Sequence, residues 1–309
     1  MNPATLPLEL PSWPKRLFIA CRPWSAPIST VPVLFGTAVA VLIEGAEWNW
    51  ERVGFALVGS WLAHAAANML NDVADHRRGL DRVPLPVSGA LARGWLSPAQ
   101  TLALAILCLL LAAAVGAMLS WNYSTVPLQI AAMGALLAIG YTWLKPIGLG
   151  DVAVWLAFGP LISAGTASVL TGRFSWISVV WMIPFASLVV AVLHANNWRD
   201  IEDDRAAGVI TLAQRLGEAG SRRYYRALII GAYGLTLAMI ILPRLIPGRV
   251  LPMPWTLTLV LLTWPVAQQR IRQAGLSREQ RLDLDARTAQ LMVPFGAASL
   301  LGLLLSRWL

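Results

Sequence analysis

Nine long hydrophobic runs, at approximately 18–43, 53–70, 99–120, 125–143, 152–171, 176–195, 224–243, 252–268 and 288–306, alternate with short polar connections along the chain. Each is close to the ~20 residues a helix needs to cross the hydrocarbon of a bilayer. Apolar residues are continuous within the runs instead of recurring every three or four positions, so no face is kept for water. A segment surrounded by lipid must satisfy its own backbone hydrogen bonds, and helices do so. The pattern predicts an all-α polytopic membrane protein of about nine transmembrane helices, forming one domain over 1–309. Pro23, Pro27 and Pro32 interrupt the first run, which predicts a kinked span and not a cleaved signal peptide.

Composition agrees. Of 309 residues, 57% are hydrophobic and only 13% charged, against roughly 25% charged in ordinary soluble domains. That excludes a disordered chain and an ordinary cytosolic enzyme. The net charge of +8 does not point to nucleic acid, because no basic run is interleaved with aromatics on a polar segment. It follows the membrane instead. If the N-terminus and the second–third, fourth–fifth, sixth–seventh and eighth–ninth connections face one side, they hold every Lys and Arg except Arg52, Arg173, Arg244, Arg249 and Arg307. The positive-inside rule then makes the N-terminus cytoplasmic, and an odd span count puts the C-terminus outside, as expected of a prokaryotic inner membrane protein. Cys21 and Cys108, far apart among apolar neighbours, read as packed thiols.

Most of the 16 acidic residues lie on the same side, which the charge rule does not require. They gather in two clusters. At the end of the second run, Asn68, Asn71, Asp72 and Asp75 recur at three- and four-residue spacing and so share one helix face. At the end of the sixth, Asn196 or Asn197, Asp200 and Asp204 repeat the arrangement, which hints at a weak internal duplication. Carboxylates crowded into a small space repel one another unless a cation holds them ionised. Hard oxygen donors of this kind suit Mg²⁺, which takes one or two carboxylates and completes its shell with water and substrate phosphate. Arg77, Arg78, Arg199 and Arg205 flank the clusters, and Tyr141 and Lys145 close the fourth run one turn apart. Together they form a set able to neutralise a diphosphate. The segments 72–97 and 200–222 read as cap loops over this face.

These residues resemble the UbiA superfamily of intramembrane aromatic prenyltransferases over nearly the whole chain. Asn71-x-x-x-Asp75 matches the first acidic motif of that family, Asp200-x-x-x-Asp204 the second, and Tyr141-x-x-x-Lys145 a third short signature. The run Asn196-Asn197-Trp198-Arg199-Asp200 through Gly208, with Gly148-Leu149-Gly150-Asp151, is most similar to 1,4-dihydroxy-2-naphthoate polyprenyltransferases of menaquinone synthesis. Pro84-Leu85-Pro86-Val87-Ser88-Gly89 instead resembles an element of hydroxybenzoate-type and chlorophyll-synthase-type relatives. The resemblance implies Mg²⁺ held by Asn71, Asp75, Asp200 and Asp204, and polyprenyl diphosphate bound among Asn68, Arg78, Tyr141, Lys145, Asn196, Asn197 and Arg205. It further implies an aromatic acceptor; for that acceptor, Arg22 at the edge of the first run is the candidate partner of a carboxylate, and Asp72 or Asp81 the candidate base for a ring hydroxyl. Acceptors of the 4-hydroxybenzoate, homogentisate or chlorophyllide type stay open, and so, from a different class, does a secondary transporter with intramembrane carboxylates. The sequence leaves prenyl length and oligomeric state open.

Overall fold

A computed structural model describes residues 10–80, 89–121, 123–246 and 251–308, with no strand among them. The chain enters through α1 (Trp13–Ala20) and α2 (Pro27–Leu42), which meet at an angle of 59° around Pro23 and Pro27. Asn49 then caps α3 (Trp50–Arg77), its side chain accepting from the Arg52 amide at 2.9 Å. Ser97 and Gln100 form a reciprocal capping box at the start of α4 (Pro98–Ser120). Next come α5 (Val126–Leu144) and α6 (Gly150–Leu156), a π-helical turn over Ala157–Leu161, and α7 (Ile162–Thr171). In the second half α8 (Trp176–Trp181), α9 (Ile183–Arg199), α10 (Ile201–Ala206) and α11 (Leu212–Leu245) precede a 3₁₀ stretch at Trp255–Thr263, α12 (Trp264–Gln273) and α13 (Leu284–Leu305).

Among the described residues, six helical stretches are long and apolar enough to cross a membrane by themselves, and the bent α1–α2 pair makes a seventh. The expected nine are not reproduced. Runs 176–195 and 252–268 are helical but divided, the first into α8 and α9 at Met182, the second into the 3₁₀ stretch and α12 at Thr263. Pro184 and Pro265 stand in the first turns of the downstream pieces. There a missing N–H is harmless, but a helix cannot continue smoothly through it from upstream.

The core is centred on α9, 13 of whose 17 residues are buried. Phe185, Leu188 and Val189 of α9 pack with Phe35 of α2, Ile229 and Tyr233 of α11, and Leu291 and Phe295 of α13. By contrast α4 and α5 turn Leu110, Leu111, Met133 and Leu136 outward, where only lipid suits them. The π turn joins α6 to α7 and, with α6, packs against α9. A β-carbon on Gly159 would stand 2.4 Å from that of Ala186, so glycine alone permits the approach. Cys21 is exposed, whereas Cys108 is half-buried and packs against the cluster of Ala20, Met69 and Leu96, as expected of a packed thiol.

Candidate active site

One large cavity of about 890 Å³ opens between the two halves of the bundle. Its inner wall is mostly small and apolar, including Ala112, Gly116, Ala131, Ala135, Leu161 and Val169. Its outer rim carries the charges. Twelve of the residues expected from the sequence line it: Arg22, Asn68, Asn71, Asp75, Arg78, Tyr141, Lys145, Asn196, Asn197, Arg199, Asp200 and Asp204, whereas Arg77 is exposed outside it. Helix spacing explains the convergence, since Asn68, Asn71 and Asp75 fall on one stripe of α3 and aim the same way.

Asp75 is 4% exposed and bound on two sides. Asn71 Nδ2 and Lys145 Nζ each donate to its Oδ2 at 2.8 Å. The Arg78 guanidinium stands 3.8 Å from Oδ1 and is itself anchored, donating to the Thr142 carbonyl at 2.6 Å. Asp75 Oδ1 and Asn71 Oδ1 are buried with no hydrogen-bond donor. Lys145 ends α5 immediately before Pro146, and Gly148, at φ 79°, turns the chain back into α6. That turn fixes where the ammonium points.

The second cluster is built from three segments. Asp200 sits at the non-helical joint between α9 and α10, and Arg199 forks onto both its oxygens at 2.8 and 2.9 Å. The same guanidinium donates to Asp285 Oδ2 at 2.7 Å. Arg278 donates to the Arg199 carbonyl at 3.1 Å and to Glu202 at 2.7 Å. Below this network Glu218 accepts from the Trp198 indole at 2.7 Å and from Arg281 at 2.6 Å, while Arg281 stacks 3.7 Å over the Trp198 ring.

Three expectations meet a different arrangement. Arg205 is exposed and does not line the cavity. After the break at Asp200 the register restarts, so Asp204 turns inward at 3% exposure and its neighbour turns out. Asp72 does not line the cavity either; it is buried and ion-paired with Arg22. Gly89 closes over that pair so tightly that a β-carbon there would lie 2.2 Å from the Asp72 carboxylate. Asp81, with residues 84–88 of the proline-rich element, lies outside the described residues. The segments expected as cap loops are partly helical: 200–222 contains α10 and the first turns of α11.

Arg278 and Asp285 line the cavity unforeseen. Nothing in their own spacing marks them; only their place in a charged connection hinted at it. No three of the His, Cys, Asp and Glu side chains among the described residues stand close enough to form a ready-made metal cage.

The UbiA prenyltransferase family model matches residues 29–288. The chain belongs to this family. It is 31% identical over 300 residues to UbiA prenyltransferase domain-containing protein 1 of Dictyostelium discoideum, covering 94% of this chain and 87% of that one. The human protein of the same name is 30% identical over 296 residues, with 93% and 83% covered. Among solved structures, the apo form of a UbiA homologue from Aeropyrum pernix superposes with a TM-score of 0.68 at 18% identity, over 88% of this chain and 96% of that one. A UbiA homologue from Archaeoglobus fulgidus bound to GPP and Mg²⁺ superposes at 0.64 and 14%, over 92% and 99%. Membership in a family of transferases sets the transporter reading aside. The relatives named here do not single out dihydroxynaphthoate enzymes, and the curated ones are eukaryotic, so they lend no support to a prokaryotic inner membrane.

Proposed function

We propose that this member of the UbiA family transfers a polyprenyl group from its diphosphate to an aromatic acceptor, 1,4-dihydroxy-2-naphthoate, with loss of CO₂, to give demethylmenaquinone. The reading is carried by one observation: Asp75, held by Asn71 and Lys145, lines the same largely apolar cavity as Asp200 and Asp204. A charged head and a hydrocarbon tail need that combination.

Asp75, Asn71, Asp200 and Asp204 would hold Mg²⁺. Their chemistry fits it: the donors are hard oxygens, and the Oδ1 atoms of Asp75 and Asn71 are buried without a donor of their own. Mg²⁺ fills its shell largely with water and substrate oxygens and so asks for few protein carboxylates. When bound, the metal would offset the negative charge that develops on a departing diphosphate.

The chain's own residues do the rest. Lys145 and Arg78 present fixed positive charge where the allylic C–O bond loosens, and they stabilise that charge more as it grows than before the bond stretches. Arg199 and Arg278 do the same from the opposite rim. Tyr141, Asn196 and Asn197 hold the head group in register, while the Ala- and Gly-rich wall accepts the tail. Arg22, oriented by Asp72 and Gly89, receives the carboxylate of the acceptor. We further infer that the 176–195 and 252–268 runs complete a nine-span bundle with the charged rim cytoplasmic, in keeping with the positive-inside bias.

The test is an acceptor panel assayed with geranyl diphosphate and Mg²⁺ in membranes containing the full chain. Dihydroxynaphthoate should be prenylated with release of CO₂, and 4-hydroxybenzoate and homogentisate should be poor. Preference for one of those two would overturn the acceptor assignment while keeping the family chemistry.

A further inference from the structure

Inside the rim, the cavity carries a second polar station that shares only Asn68 with the residues expected to bind the diphosphate. It forms where the α1–α2 break meets α3. His64 Nδ1 stands 3.0 Å from Ser29 Oγ, and its Nε2 stands 3.3 Å from Ser25 Oγ. Asn68 Nδ2 donates to the same Ser25 oxygen at 3.4 Å, and the Ser25 hydroxyl reaches the Arg22 carbonyl at 2.7 Å. Phe158 closes the far side, edge-on to the imidazole at 4.7 Å between ring centroids. Ser25, His64, Asn68 and Phe158 all line the cavity, with Ser29 fully buried behind the ring.

A hydrocarbon tail asks for no hydrogen bond, whereas an imidazole buried at membrane depth is costly and marks a functional group by default. The backbone is bent to build this station. Arg22, at φ 49°, is the single non-glycine residue with positive φ among those described, and strain of this kind collects at working sites. Position fits as well. Asn68 precedes Asp75 by seven residues on α3, so Ser25 lies about 10 Å inward of the phosphate rim at 1.5 Å of rise per residue. Between rim and serine there is room for the allylic end of a diphosphate and one aromatic ring.

Building on the prenyltransferase reading above, we propose that Ser25 and His64 bind the ring hydroxyl of a phenolic acceptor and relay its proton. The side chains support two hydrogen-bond patterns. In one, Ser29 donates to Nδ1 and Nε2–H donates to Ser25. In the other, Nδ1–H donates to Ser29, and Ser25 turns its proton from the Arg22 carbonyl to Nε2. The second is the receiving state: the acceptor hydroxyl gives its proton to Ser25 Oγ as Ser25 passes its own to Nε2. The electron pair left on the aryl oxygen flows into the ring, a ring carbon bonds to the allylic carbon, and the C–O pair leaves on the diphosphate. The alkylated ring carbon then loses CO₂, or loses its proton to the released diphosphate, to restore aromaticity, and the imidazolium returns its proton to the aryl oxygen. The proton is borrowed and given back, so no external base is required. Arg22, paired with Asp72, is the charged side chain nearest the relay; Ser25, Ser29 and Asn68 are neutral, and Phe158 is apolar.

The test uses the full chain in membranes with Mg²⁺, geranyl diphosphate, and 1,4-dihydroxy-2-naphthoate or 4-hydroxybenzoate as the phenol. His64→Gln keeps a hydrogen-bonding amide but cannot take up a proton, and Ser25→Ala removes the contact with little change of volume. Both should bind geranyl diphosphate like the wild type while kcat falls 10²-fold or more, the usual reach of general acid–base catalysis. Across ring-substituted phenols the loss should shrink as the hydroxyl becomes more acidic. Turnover within threefold of wild type, or a loss equal for every phenol, would overturn the relay and leave the transferase reading standing. A wild type that binds geranyl diphosphate yet alkylates neither phenol would overturn the acceptor reading and the relay with it. If His64→Gln fails to bind geranyl diphosphate, Ser25→Ala decides by the same criteria.

Discussion

The two carboxylate clusters share a sequence spacing but not a construction. Asp75 lies inside an unbroken 28-residue helix, and its partners Asn71 and Lys145 are set by helix geometry and by the packing of α5. Asp200 lies at a joint, its side chain 28% exposed, and is kept in place by Arg199, which is kept in place by Asp285 from the start of α13. The first cluster is positioned by packing, the second by a chain of charges across three segments. Packing resists salt; ion pairs with one exposed partner are weakened by it. The difference teaches that a repeated motif can pair a fixed half with an adjustable one.

Asp75→Ala and Asp200→Ala attack the shared role and are expected to have the largest effect, lowering prenyl transfer by about 10³-fold or more, on the scale of losing a fixed electrostatic stabiliser. Activity in membranes checks this, with helical content confirming the fold; retained turnover in either variant would remove that carboxylate from the site. Lys145→Met tests the rigid half alone. It should weaken diphosphate binding roughly 10- to 100-fold, in line with about 1.5–3 kcal/mol for a hydrogen bond to a charged group, and unchanged affinity would exclude it. Asp285→Asn sharpens the contrast, since it loosens Arg199 without touching Asp75. A rise of about 3- to 10-fold in KM for the diphosphate is expected, growing with salt, whereas Lys145→Met should be nearly insensitive to salt. Smallest of all, Glu218→Gln weakens the clamp on Trp198 and Arg281 and should cost about 1 kcal/mol or less, because Glu218 is half exposed. Thermal unfolding in detergent measures it, and a larger loss would show that the adjustable half depends on the clamp.

How much of this could be read from the residues follows the same division. Asn68, Asn71 and Asp75 were legible because an uninterrupted helix turns spacing into direction, and the apolar runs foretold an all-helical membrane bundle. Where the helix breaks, spacing stops carrying that information. Arg205 was expected beside Asp204 on the cavity wall, but the joint at Asp200 resets the register and sends it outward, leaving its place to Arg199 and Arg278. Asp285 was invisible because its partner is 86 residues away and tertiary packing alone brings them together. The nine runs were counted by hydropathy, which cannot see that Pro184 and Pro265 open new helices inside two of them. Asp72 looked like a free acid on the right face, but Arg22 had no sequence signal to announce it as the partner.

One feature of the α6–α7 wall works as a register key. The π turn at Ala157–Leu161 holds one residue more than an α-helical turn would. The bulge absorbs that residue, so the helix beyond it points as it would in an unbroken α-helix one residue shorter, and Leu161, Gly165 and Thr166 stay on the cavity wall. Deleting a residue inside the turn should therefore leave the tail channel open. The same deletion just beyond it, at Ile162, would turn every later residue of α7 by about 100°, the angle per residue of a 3.6-fold helix, and swing Gly165 and Thr166 off the wall.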